Sequence, residues 1–243
     1  MRYEAFSMSA PATLELDGDV AVITMDDGKA NALSPAMITS LAEALDRAET
    51  AATSVVLKGR PGRFCAGFDL KIMGSGPGAA TELVKSGADL LIRLYEHPQP
   101  VVAACTGHAM AGGALLLLAS DVRLGVEGDF KIGLNEVAIG MPMPVFASEL
   151  ARERLDRRAL VAATVGATIY DPPSAVEVGY LDRVVTAEAL HALATSEAQR
   201  LAQLPASAYA STKRSVRAPL IAHVRATLEE DLARVTRDMR ARR

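Results

Sequence analysis

Two rhythms of apolar residues divide the chain. Thr13 to Leu16 and Val20 to Met25 are short β-prone runs separated by Asp17-Gly18. Asp-Gly supplies the positive φ angles of a tight primed turn, so these runs predict a hairpin. The period then lengthens to that of a helix: Ser34 is a good N-cap, Pro35 suits the first helical position, and Met37, Leu41 and Leu45 share a face. Ser54 to Lys58 reads as a buried strand ended by Gly59-Arg60-Pro61-Gly62, and Ala79 to Glu96 as the next helix. Next, Val101 to Cys105 predicts a strand, Ala111 to Ala119 a helix and Val122 to Val126 a strand, the β-α-β alternation of an α/β protein. After about residue 145 the strand signals thin out, and helices are predicted near Phe146 to Arg154, Arg157 to Thr164, Ser174 to Val178, Ala187 to Leu204 and Leu220 to Met239. With no repeat, low-complexity tract or long Pro/Ser linker, the chain divides into a core over residues 1–185 and a helical region over 186–243. Together they form one functional unit, in which the helical region is suited to covering a site and joining subunits.

Composition narrows the possibilities. The 243 residues fit one large α/β unit, which buries about 70 to 75% of its unfolded surface. Half are hydrophobic but none is tryptophan, so the core must be built from Ala, Leu, Val and Ile. A net charge of −3 gives no global electrostatic reason to bind nucleic acid or an acidic membrane. Basic residues nevertheless gather towards the end, in Lys213-Arg214, Arg217, Arg225 and Arg234 to Arg243. A solvated helix face is the plain reading, and a contact for ligand phosphates the sharper one. Cys65 and Cys105 have neither Cys-x-x-Cys spacing nor a secretory context, which points to a reduced, cytoplasmic compartment and against a nucleophilic thiol. Met1 to Pro11 lacks the apolar core of a signal peptide and reads as a frayed end. Val101 to Ala119 is apolar enough to raise the question of a membrane span, but Thr106-Gly107-His108 and Gly112-Gly113 interrupt it, so a strand, loop and helix explain it better.

Two glycine-containing turns are the first candidate chemistry: Phe64-Cys65-Ala66-Gly67-Phe68-Asp69-Leu70-Lys71 and Thr106-Gly107-His108-Ala109-Met110-Ala111-Gly112-Gly113. The second leads into a helix, whose first N–H groups are unpaired and available to a negative oxygen. Neither has the glycine spacing of a dinucleotide fold or the Gly-Lys-Ser/Thr of a P-loop. Together with Asp121 and the later run Gly133-Leu134-Asn135-Glu136-Val137-Ala138-Ile139-Gly140, these blocks resemble the crotonase superfamily, the enoyl-CoA hydratase/isomerase group. The resemblance extends from Asn31-Ala32-Leu33 to Gly179-Tyr180-Leu181-Asp182-Arg183-Val184-Val185.

That resemblance implies an α/β fold of the ClpP/crotonase type, a spiral of repeated β-β-α units with a C-terminal helical region, assembled as a homotrimer or dimer of trimers. It implies an acyl-CoA thioester as substrate and no separate cofactor. The N–H groups that bind the thioester oxygen in the family map to Phe68 and Gly112, Phe68 standing where Ala is more usual. Fixed donors there would meet the charge of a developing enolate. Lys29, Ala30, Ala32, Ala66, Asp69 and Leu70 carry over as the wall holding the pantetheine and adenine parts, with Gly113, Leu115 and Gly140 also placed at the substrate.

Family hydratases use two glutamates. The first falls here on Leu115 and the second on Glu136. Adding water calls for two carboxylates, one to activate it and one to deliver a proton, whereas one base suffices to carry a proton from C2 to C4. Leu115, the Ile-Gly-Leu-Asn-Glu run and Gly140-Met141-Pro142-Met143-Pro144 all resemble the Δ3-Δ2-enoyl-CoA isomerase branch. A hydratase and a non-catalytic acyl-CoA-binding protein remain the competing readings. Burial beside apolar walls would raise the Glu136 pKa and suit it to proton shuttling. Glu149 could supply a second carboxylate if it turned back into the pocket. Asp121 and His108 read as structural, His97 as a helix end, and Phe68, Met141, Met143 and Phe146 as candidate walls of an apolar tunnel. No His, Cys or carboxylate spacing suggests a metal site, and no Ser-His-Asp arrangement stands out.

Overall fold

The computed structural model describes residues 10–240; expectations for 1–9 and 241–243 fall outside the described residues. β1 (Ala12–Asp17) and β2 (Val20–Met25) form the expected antiparallel hairpin, with Asp17 opposite Val20 and Gly18 at φ 60°. α1 (Pro35–Ala51) starts where the sequence places it, and Ser34 Oγ accepts from Met37 N at 3.2 Å. There follow β3 (Ser54–Lys58), β4 (Gly62–Cys65), α2 (Leu70–Ser75), α3 (Pro77–Glu96), β5 (Val101–Cys105), β6 (Gly107–Met110), α4 (Gly112–Ala119), β7 (Val122–Val126) and β8 (Ile132–Gly133). After a short 3-10 turn at Val137–Ile139 come α5 (Val145–Arg154), α6 (Leu160–Ala163), α7 (Pro172–Val178), β9 (Arg183–Val185), α8 (Ala187–Ala202) and α9 (Ala206–Arg240).

The strands sort alternately into two sheets. One has the order β1-β2-β3-β5-β7-β9 and the other β4-β6-β8, and every pairing after the first hairpin is parallel. Each revolution of the chain therefore adds one strand to each sheet and returns through helix, so β3 and β4 are followed by β5 and β6, then β7 and β8. This is the spiral of β-β-α units that the resemblance implies. Register shows the stacking: Val56 lies beside Val102 in the large sheet, and Gly62 beside Gly107 in the small one.

Strand residues divide by parity between two cores, as side chains of period two require. Ile23, Val55, Leu57, Val101 and Ala103 join a large core with α1, α3 and α4. Val22, Val56, Val102 and Ala104 face the other way, onto Leu190, Ala194 and Ala198 of α8. Buried on both sides, β3 and β5 contain the unbroken apolar runs expected of central parallel strands.

Three expectations need correction. Thr106 to Gly113 is not simply a loop, because Gly107–Met110 pairs with β4 and β8. The strand signal is hidden by His108 and by a glycine that close stacking requires: a Cβ on Gly107 would lie 2.1 Å from the Gly62 carbonyl carbon. The helix predicted for Arg157 to Thr164 shrinks to Leu160–Ala163, after a turn in which Asp156 Oδ1 accepts from Arg158 N. The last helix does not begin at Leu220; it runs unbroken from Ala206 with Pro219 inside it. Proline removes one helical hydrogen bond, but buried Lys213, Arg217, Ile221 and Val224 anchor the helix on both sides of it.

Those anchors also correct the reading of the basic cluster. Lys213 Nζ donates to Asp121 Oδ2 at 2.6 Å and to Gln99 O, while Arg217 pairs with Asp121 Oδ1 at 2.7 Å and reaches Tyr95 O. Arg154 donates to Leu118 O and Ser120 O. Two cations thus meet the Asp121 carboxylate, and Arg217 and Arg154 also reach the C-terminal ends of α3 and α4, where the helix dipoles concentrate negative charge. Lys213 and Arg217 are therefore buried in ion pairs and not on a solvated face; Arg225 pairs at the surface with Glu96. The structural reading of Asp121 holds. Val101 to Ala119 is divided among β5, β6 and α4, and among the described residues no helix is long and apolar enough to cross a membrane.

Candidate active site

The chain approaches the site first through residues 26–33. Asp27 Oδ1 accepts from the amides of Lys29 and Asn31, and Asn31 adopts φ 55°. The buried Asn31 amide group then donates to Met25 O, Arg63 O and Phe64 O, tying this loop to β2 and β4. Ala66 N donates to Ala30 O at 3.1 Å, and Leu33 bridges Phe68 in parallel. Phe68 is consequently held by backbone pairing. Asp69 caps α2, accepting from Lys71 N and Ile72 N.

The second turn is more strained. Ala111, at φ 49° and ψ −119°, precedes α4 without a side-chain cap. For a non-glycine residue such a backbone costs about 1 to 3 kcal/mol and persists only where surrounding structure imposes it. Here it orients the Ala111–Gly112 peptide at an uncapped helix N-terminus, where N–H groups lack intrahelical partners. The two turns touch: a Cβ on Gly67 would lie 2.8 Å from Ala111 Cβ and 3.1 Å from Gly112 N. Among the described residues neither Phe68 N–H nor Gly112 N–H has an intramolecular acceptor.

Gly113 sets this approach. A Cβ there would stand 2.1 Å from Cys65 O, inside contact distance of backbone that cannot swing aside. Gly113→Ala is expected to lower stability by about 1 to 3 kcal/mol through overpacking. Gly78→Ala, with open space around its Cβ, is expected to stay within about 0.5 kcal/mol of the parent. Urea unfolding of both variants checks this; equal midpoints would refute the close-approach argument.

Between these turns and the C-terminal helices lies an apolar cavity, partly open to solvent. Phe68, Leu70, Met73, Val84, Ala111 and Leu115 form one side, and Met141, Phe146, Ala147 and Val235 the other. Leu70 and Ile139 are exposed at its edge, 67% and 47% respectively. α9 reaches the cavity through Val235 and pins the Met141 to Pro144 segment from outside: buried Asp231 accepts from Val145 N at 2.6 Å, and Arg234 donates towards Met143 O.

Glu136 enters this wall immediately after β8, at the start of the 3-10 turn that Gly140 ends at φ 75°. Glu136 is 7% exposed, and its buried Oε2 has no hydrogen-bond partner among the described residues. Burial pushes its pKa up to about 7, only partly opposed by a hydrogen bond from its own backbone. It is the one ionisable side chain among the described residues lining the cavity, and Asn135, whose buried Oδ1 also lacks a partner, is the other polar one.

The structure therefore gathers Ala66, Phe68, Leu70, Leu115 and Glu136 around one cavity, with Gly112 and Gly113 directly behind it. Ala30 and Ala32 are half-buried on the adjoining loop, Lys29 is exposed beside them, and Gly140 turns the chain below Glu136. Met143 packs into the core without lining the cavity, in contrast to the expected tunnel wall. Glu149 faces Arg152 at 3.3 Å and supplies no second carboxylate to the cavity. His108 accepts from Lys131 N at 2.9 Å and meets the Phe130 ring edge-on. His97 does end α3; burial lowers its pKa to about 4 and keeps it neutral. Cys65 and Cys105 are buried with pKa values pushed up to about 12, which disfavours the thiolate. Sequence reasoning missed Ala111, Asn135, Asp231 and Val235. Only Asn135 left a signal, as a second polar residue beside Glu136 in an otherwise apolar run.

A family model described as enoyl-CoA hydratase/isomerase matches residues 15–239. Enoyl-CoA delta isomerase 1 of rat mitochondria is 30% identical over 208 residues, covering 84% of this chain and 72% of the relative. A probable enoyl-CoA hydratase of Bacillus subtilis is 32% identical over 207 residues, with coverages of 80% and 79%. Among solved structures, an enoyl-CoA hydratase/isomerase family protein from Pseudomonas syringae superposes with a TM-score of 0.92 at 42% identity, covering 94% of this chain and all of the other. With its two interleaved sheets, C-terminal helices and near full-length family match, the chain belongs to the enoyl-CoA hydratase/isomerase family of the crotonase superfamily.

Proposed function

We propose that this chain is a Δ3-Δ2-enoyl-CoA isomerase of fatty acid metabolism, with Glu136 as its proton carrier and the Phe68 and Gly112 N–H groups as its oxyanion donors. The carrying observation is the solitary buried carboxylate of Glu136 in an apolar cavity. In a 3-enoyl thioester the C2 proton is acidified by both the carbonyl and the double bond. Glu136 takes it, the dienolate charge moves to the thioester oxygen, and the same carboxyl returns the proton at C4. Two backbone donors facing that oxygen stabilise the transition state by about 3 to 4 kcal/mol each. A pKa near 7 balances taking the proton against giving it back.

Hydration would require a second group to activate water. The position of that group is occupied by Leu115, 1% exposed, and the Asn135 carboxamide is too weak a base for the task. The isomerase name of the rat relative agrees with this reading, while the hydratase name of the Bacillus relative makes a product assay decisive. The Lys29 to Leu33 loop with Ala66, Asp69 and Leu70 is the proposed wall for the pantetheine and adenine parts.

NMR in heavy water with 3-enoyl and 2-enoyl thioesters tests the proposal. The expected result is interconversion of the two double-bond isomers, with kcat/KM rising with pH through about 7 to a plateau as Glu136 ionises. A 3-hydroxyacyl product, or thioester binding without isomerisation, would overturn it.

A further inference from the structure

Phe68 contributes more than a backbone amide. Its ring lies over α3, where Gly87 makes a seat for it: a Cβ on Gly87 would lie 2.2 Å from Phe68 Cε1 and 2.4 Å from Cζ. The opposite edge of the ring faces the start of α4, with Cε2 3.7 Å from where a Gly112 Cβ would stand. The ring cannot keep that place if Gly87 gains a side chain, whereas a Cβ on Gly112 would only touch its far edge. Its remaining surface forms cavity wall beside Met73 and Val84. Glycine inside a helix costs about 1 kcal/mol relative to alanine, and Gly87 is buried in α3 with no turn, cap or positive φ to account for it.

We infer that Phe68 and Gly87 act as a pair that sets the length of acyl chain the cavity accepts, the seat on Gly87 holding the ring at the depth where the chain must stop. The inference rests on the acyl-CoA reading of the site but not on the reaction performed there. Phe68→Ala keeps a backbone N–H and removes the stop. Gly87→Ala keeps the ring but evicts it from its seat, and the open direction for the ring is into the cavity. The pair should therefore show opposite single effects and strong coupling, since the methyl group added by Gly87→Ala has no ring to strike once Phe68 is also replaced by alanine.

Calorimetric titration with saturated acyl-CoA thioesters of graded chain length, which undergo no isomerisation, reads the chain limit directly. In Phe68→Ala, affinity is expected to keep rising beyond the wild-type limit by about fourfold per added methylene, the value of burying one CH₂. In Gly87→Ala the limit shortens, and in the double variant it returns to that of Phe68→Ala. Phe68→Leu, with a smaller change in volume, is expected to lengthen the limit less. Chain-length profiles that superimpose across all four variants and wild type would overturn the pairing, as would a wild type that binds no acyl-CoA. Normal wild-type binding and length selection without turnover would instead overturn the isomerase proposal and leave the pairing standing.

Discussion

Glu136→Gln is expected to lose isomerase turnover by about 10²- to 10⁴-fold, the usual contribution of a positioned general base, and to gain stability above neutral pH. Burial places the folded-state pKa at about 7, against an ordinary value of 4.5. Between those pH values the folded chain retains a proton that the unfolded chain has released. Stability therefore falls as pH rises through that window, and above about 7 the ionised carboxylate costs on the order of 3 kcal/mol. Glutamine has the same shape and no charge, so the variant should gain up to that amount at about pH 8 and nearly nothing at about pH 4.5. Urea midpoints at the two pH values, measured beside turnover, check both halves. A variant that is inactive yet no more stable at the higher pH would show that the carboxylate is not desolvated as described.

Asp121→Ala is the corresponding prediction for the scaffold, with an expected loss of about 3 to 5 kcal/mol, the cost of removing one partner from a buried ionic cluster. Asp121 receives Val101 N at 2.7 Å as well as Lys213 and Arg217, so its removal leaves a strand amide without its acceptor and two buried cations without their counter-charge. Desolvation already lowers Lys213 to about 8, and without Asp121 it can escape part of the penalty by losing its proton. The loss should therefore be larger at about pH 6 than at about pH 9. Denaturant unfolding at both pH values provides the measurement, and a pH-independent loss would mean that Lys213 takes no part in it.

Legibility in the sequence followed the range over which each element is determined. The β1–β2 hairpin, the start of α1, and the strands β3, β5 and β7 were readable because Asp-Gly, Ser-Pro and continuous apolar runs act locally. β4, β6 and β8 were not, because two to four residues containing Gly62, Gly107 or Gly133 carry little pattern and exist as strands only when stacked on each other. Pro219 concealed the first half of α9, whose reason to continue lies in Asp121, far away in the chain. The candidate site was more legible than the scaffold. Motif resemblance located Phe68, Gly112, Leu115 and Glu136, which do converge. Resemblance could not reveal the twisted backbone of Ala111 or the seat that Gly87 makes for the Phe68 ring, since both depend on contacts between separate elements. Glu149 misled for a related reason: its helix passes near the cavity, but its side chain turns to Arg152.

The far end of α9 is part of the cavity wall and not an appendage. Val235 lines the pocket, and one turn earlier Asp231 holds the first amide of α5. A chain ending before Asp231 would thus retain every residue proposed for chemistry while losing Val235 from the cavity wall and the Asp231 tie to α5. The last turns of α9 thus belong to the same chamber wall as Glu136.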